Sequence, residues 1–190
     1  MKSNSTTSEE GMTSRQITLT AVMAAFICVL GPLSIPIPVS PVPISFTNLA
    51  VYITVCLLGW KLGALSYLIY LMIGLSGLPV FSGFSCGFGK LLGPTGGYLI
   101  GFFFMAIICG LSFEKFSGPV GQGLGLILGS AVNYIFGTVW LCYVAHLTFI
   151  QGLWAGVIPY IPGDLIKIII AVITGPLIKK RLTAAGLFGN

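Results

Sequence analysis

Asp164 and Lys167 are the two charged residues that fall inside the long apolar stretches of this chain. A charge in a bilayer core is costly, and residues of this kind usually pair with each other or mark the path of a ligand or ion. Spaced three apart, they sit one turn from each other on a single helical face. The carboxylate is suited to accept hydrogen bonds from N–H donors, and the ammonium to hold an anionic or carbonyl oxygen. The alternative is a self-neutralising pair, with Asp164 capping a helix that begins after Pro162-Gly163. The ligand site is preferred, because a cap has no need of a lysine one turn deeper.

Other residues add to this picture. Lys90 lies in GFSCGFGKLLGPTGGYL, where glycines allow close backbone approach and phenylalanines offer apolar walls. It is either a carboxylate ligand or a solvated loop lysine. Asn133 is an amide within an apolar helix, set either to touch a ligand or to bridge two helices. His146 has no acid or cysteine at a useful spacing and reads as an interfacial histidine. Cys28, Cys56, Cys86, Cys109 and Cys142 show neither metal-ligand pairs nor a disulfide framework. A nucleophile with a partner base, or a metal set within the apolar segments, is not found, so an intramembrane enzyme is disfavoured.

The elements that must hold these residues follow from composition. The chain is 56% apolar and 7% charged over 190 residues. An average soluble domain is about 25% charged, so this is an integral membrane protein. At about 20 residues per span, the length allows six spanning helices and no separate soluble module for ATP or nucleic acid. A polar tail over residues 1–16 precedes a helix from Ile17 to Leu30, which is retained, since no small-residue cleavage site follows it. The expected helices then run about Phe46 to Leu58, Leu62 to Gly74, Gly97 to Phe113 and Gly123 to His146. The last apolar region begins near Leu153, breaks at Pro159 and Pro162, and continues from Asp164 to Ile178. The membrane domain covers 17–181, and 182–190 is a short tail.

Six spans put both termini on one side. With the termini inside, Lys2, Arg15, Lys61, Lys115, Lys179, Lys180 and Arg181 are cytoplasmic and Lys90 alone is outside, a strong positive-inside asymmetry. Two long connections then face outward. PLSIPIPVSPVPIS, with its five prolines, is an ordered loop or extended lid, because proline breaks helices. The second is the Gly/Phe-rich segment Ser76 to Gly96. Small-residue pairs at four-residue spacing (Gly59…Gly63, Gly97…Gly101, Gly121…Gly125, Gly125…Gly129) point to internal packing, whereas Ala21…Ala25 is open to a partner.

PVSPVPISFTNLAVYITVCLLGWKLGALSYLIYLMIGLSGLPVFSG, then GKLLGPTGGYLIGF, then IPGDLIK, occur in this order. Together they resemble the BioY family, the biotin-specific substrate-binding (S) components of energy-coupling factor (ECF) transporters. The likeness runs from about Ser14 to Arg181. It implies a six-helix bundle in the plasma membrane of a bacterium, binding biotin tightly from outside, with no cofactor. It also implies partners: a transmembrane coupling protein, docked through Ala21 and Ala25, and two separate ATPase subunits. Family site positions fall on Asp164, Lys167 and the loop before GPTGGY. Biotin offers a ureido ring with two N–H donors and a carbonyl, an apolar bicyclic body and an acid tail. Asp164 would take the N–H groups, aromatic side chains such as Phe88 and Tyr98 would enclose the rings, and Lys90 or Lys167 would hold the carboxylate or carbonyl. A gradient-driven carrier acting alone is the alternative; it calls for a further intramembrane acid.

Overall fold

The computed structural model describes residues 12–38 and 40–186. In chain order the elements are α1 (Ser14–Leu30), β1 (Ser34–Ile37), β2 (Ser40–Ser45), α2 (Thr47–Leu75), α3 (Gly87–Leu92), α4 (Gly96–Lys115), α5 (Pro119–Ala145), α6 (Phe149–Gly156) and α7 (Ile161–Ala184). Among the described residues, α2, α4, α5 and α7 are long and apolar enough to cross a membrane, and α1 is a shorter apolar helix of 17 residues. The polar tail expected over 1–16 lies outside the described residues as far as residue 11, together with Lys2 and positions 187–190 of the C-terminal tail. From Ser14 the chain is already helical, because Thr13 and Gln16 form a reciprocal capping box.

α2 is not one straight rod. Gly59 has φ 77° and ψ −177°, a conformation essentially restricted to glycine. The chain doubles back there, so that Gly63 packs against Val55. Thr47 and Tyr70 end up lining the same cavity, although in a straight helix they would stand more than about 30 Å apart. The two arms, 47–58 and 60–75, are the second and third helices expected from the sequence. Glu114 at the end of α4 secures the reversal by accepting the Trp60 backbone N–H at 3.1 Å.

Four of the four-spaced glycines, Gly97, Gly101, Gly125 and Gly129, are spent on α4–α5 packing. A Cβ at Gly97 would strike Trp140, at Gly101 Asn133, at Gly125 Ser112 and at Gly129 Cys109, so each keeps the two helices in close approach. Around this pair the arms of α2 bury Tyr52, Val55, Tyr67 and Tyr70 against Ile27 of α1 and Met105 of α4. Arg15 donates to the Gly186 carbonyl at 2.9 Å, which brings both ends of the described chain to one end of the bundle.

The opposite end carries the two long connections. The proline segment forms an antiparallel hairpin, β1–β2, pairing Ser34 with Ser45, Ile35 with Ile44 and Ile37 with Ser40. A two-stranded ribbon has an unpaired edge on each strand, which is where proline, lacking an N–H, can sit. In the Gly/Phe segment, Phe81 is fully buried, edge-on to Tyr70. A further short helix, α3, was not apparent from the sequence. The break expected in the last apolar region falls between α6 and α7, and Pro162 is accommodated in the first turn of α7. Asp164 therefore sits inside that first turn and does not begin the helix.

Gly59→Ala should cost about 1–3 kcal/mol, because alanine must adopt a strained backbone and its Cβ would meet Glu114 Oε1. Thermal unfolding in detergent should show a clear fall in midpoint; an unchanged midpoint would contradict the reversal.

Candidate functional site

A cleft of about 620 Å³, its open mouth included, lies at the hairpin end of the bundle. β2 contributes Val42, Pro43 and Ser45, and the start of α2 contributes Thr47 and Asn48. α4 adds Tyr98, Leu99 and Phe102, α5 adds Asn133 and Tyr134, and the α6–α7 region adds Tyr160, Asp164 and Lys167. Aromatic and aliphatic surface makes up most of the wall, and the polar groups converge at one place.

That place is built around Asp164 and Lys167. They form an ion pair at 3.0 Å, and Lys167 is only 7% exposed. The ammonium donates to Asp164 Oδ1 at 3.0 Å, to Asn48 Oδ1 at 3.0 Å and to the Ser45 carbonyl at 2.6 Å. An ammonium has three donors, and all three are used. Asp164 Oδ1 also accepts from Asn48 Nδ2 at 2.6 Å, while Oδ2 accepts the Tyr134 hydroxyl at 2.5 Å. The pair is thus neither isolated nor remote: it joins α7 to α2, α5 and β2, and it forms part of the cleft wall.

Several polar atoms around the cleft have no partner. Asn133 Oδ1 and Thr95 Oγ1 are buried and unsatisfied, and the Tyr70 hydroxyl lies beside Thr47 without a hydrogen bond of ordinary geometry. Buried polar groups are normally paired, so a cleft bordered by three such residues is suited to a polar ligand. Other hydroxyls are engaged in holding the walls: Tyr98 donates to the Gly156 carbonyl at 2.8 Å and Tyr67 to the Leu99 carbonyl at 2.6 Å.

Of the residues singled out from the sequence, Asp164, Lys167, Asn133 and Tyr98 meet at this cleft. Lys90 and Phe88 do not line it. Both sit on α3, where Phe88 is 64% exposed and Lys90 half-buried, with burial lowering the lysine pKa from its ordinary value. The six-residue α3 that carries them contributes nothing to the lining, a feature that a glycine-rich stretch does not reveal. Ala21 and Ala25 are exposed on one face of α1. His146 caps the end of α5 in a left-handed conformation. All five cysteines are free, and the described residues contain no cluster able to hold a metal ion. Tyr134 and Tyr160 were missed, because a tyrosine in an apolar run looks the same whether it serves the core or a site.

The family model described as "BioY family" matches residues 2–184. The chain belongs to the BioY family. Among its relatives in this family, a probable biotin transporter BioY of Pyrococcus horikoshii is 37% identical over 162 residues, covering 85% of this chain and 94% of the relative. The biotin transporter BioY of Lactococcus lactis is 34% identical over 181 residues, covering 92% and 93%. A crystal structure of the S-component for biotin from an ECF-type ABC transporter superposes with a TM-score of 0.81 at 33% identity, covering 89% of this chain and 95% of that one.

Removing one member of the buried pair strands the other. Lys167→Met should cost about 3–5 kcal/mol, and adding Asp164→Asn to it should restore much of the loss. Unfolding midpoints of the single and double variants check this; purely additive losses would contradict it.

Proposed function

We propose that this chain is the membrane-embedded capture subunit for biotin, which binds the vitamin at the hairpin end and hands it to an ATP-driven ECF module. The observation that carries the reading is the Asp164 carboxylate, anchored from several sides yet forming part of a largely apolar and aromatic cleft. A carboxylate offers about four acceptor positions. Asn48, Lys167 and Tyr134 fill three of them, leaving one for a ligand N–H. Asn133 borders the same cleft, its Oδ1 packed on Gly101 of α4. The open position on Asp164 suits an N–H of a ureido group. Tyr98 and Phe102 supply flat surface for the bicyclic body. Because the Lys167 donors are all engaged, Lys90 is the better candidate for the acid tail.

The orientation is that of the positive-inside rule. Arg15, Lys61, Lys115, Lys179, Lys180 and Arg181 belong to the cytoplasmic side, and the hairpin end, with Lys90, faces outward. Both termini are then cytoplasmic in the cell membrane. The exposed Ala21–Ala25 face of α1 allows close approach of a coupling protein. ATP is hydrolysed by separate subunits, and this chain performs no covalent chemistry.

Calorimetric titration of the purified protein should show binding of one biotin per chain. Asp164→Asn should weaken it by about ten- to a hundredfold, the loss expected for a hydrogen bond to a charged acceptor. Full affinity in that variant would remove the assignment. Lys90→Met should weaken biotin but leave biotinamide, which lacks the acid, nearly unaffected; equal loss for both ligands would exclude Lys90 as the carboxylate contact.

A further inference from the structure

Tyr160 precedes α7 and is 6% exposed, packed with Val42, Tyr98 and Leu141. Its hydroxyl donates to the Val42 carbonyl and lies 2.7 Å from Ser40 Oγ, both in β2. Ser40 Oγ in turn accepts the Val42 N–H at 3.0 Å and donates to the Ala155 carbonyl of α6 at 2.5 Å. Two side chains, one on each side of the gap, therefore tie the first half of β2 to the α6–α7 connection. The other half of β2 is held separately, through the Lys167 bond to the Ser45 carbonyl. Pro43 lies between these two ties and, with the tied Val42, forms part of the cleft wall.

Besides the apolar packing of Val42, Ile37 and Ile44, the polar ties of the hairpin at that point are few. The hairpin is a two-stranded ribbon, marginal on its own, with its pairing irregular between Ile35 and Ile37. Proline at positions 36, 38, 41 and 43 removes four backbone donors from the segment. Its position over the cleft thus leans on Tyr160 and Lys167 reaching it from the α6–α7 side and on Ser40 reaching the Ala155 carbonyl of α6. We infer that Tyr160 and Ser40 form a latch that positions β2 as a wall of the cleft and sets how long a ligand is retained. Tyr160 acts through the Val42–Pro43 wall, as a positioning residue. Breaking the latch lets the first half of β2 swing off the α6–α7 connection while the Lys167 anchor at Ser45 serves as its hinge.

The retention part of this inference rests on biotin being the ligand; the positioning part does not. Two measurements separate them. Hydrogen exchange of the ligand-free protein reads the hairpin directly. Tyr160→Phe keeps the ring and removes the hydroxyl. It should speed exchange in peptides covering 34–46 by about five- to tenfold, the range for losing one hydrogen bond, with peptides from α4 unchanged. Ser40→Ala reaches the same latch from the hairpin side and should do likewise. Combining the two should add little, because both open one contact. A pulse–chase with labelled biotin should then show dissociation accelerated by a similar factor, with a much smaller change in association rate. Unchanged exchange over 34–46 in both variants would overturn the latch. Faster exchange with an unaltered dissociation rate would overturn its role in retention. Failure of the unmutated protein to bind biotin would defeat the functional reading instead, leaving hydrogen exchange to decide the latch.

Discussion

The structure depends on an ammonium and a carboxylate brought together where water is scarce. Lys167 and Asp164 could not be placed singly in an apolar bundle without a large desolvation cost. Paired, they still need their remaining donors and acceptors satisfied, and that need fixes the surroundings. Asn48 faces both of them with opposite ends of one amide, Tyr134 takes the second carboxylate oxygen, and the third ammonium proton goes to the Ser45 carbonyl. The start of α2, the middle of α5, the hairpin end and the first turn of α7 must all meet at this point. The cleft is the space left beside that junction.

Close helix approach makes such a junction possible. Glycines at the α4–α5 interface bring Tyr98 and Asn133 to the same wall, and the glycine reversal in α2 returns Tyr70 to the level of Thr47. The reversal also explains how short arms contribute. Neither 47–58 nor 60–75 is as long as α4, α5 or α7, yet each buries aromatic side chains in the core shared with α4. The resulting molecule has a terminal end fastened by Glu114 and Arg15 and a hairpin end fastened by hydroxyls and one lysine.

Much of this was legible in the chain. An apolar composition with punctuating Gly and Pro marks out the helical segments, and the cost of charge in lipid singles out Asp164 and Lys167. The glycine spacing correctly pointed to internal packing. What could not be read was whatever depends on contacts between distant segments. Asn48 becomes important only once α2 meets α7, and Tyr134 only once α5 turns toward Asp164. The hairpin was hidden by its prolines, which argue against helix without specifying a strand pair. Phe88 and Lys90 were grouped with the site by their glycine-rich neighbours, whereas a six-residue helix sets them outside the lining.

The central claim is that the anchored carboxylate of Asp164 meets the ureido group of biotin. A crystal structure of the biotin complex tests it most directly. The account requires a ureido nitrogen within about 3.2 Å of Asp164, with the Lys167 and Asn48 contacts retained. A bound biotin whose ureido ring lies away from Asp164, with the acid still held only by protein groups, would contradict it.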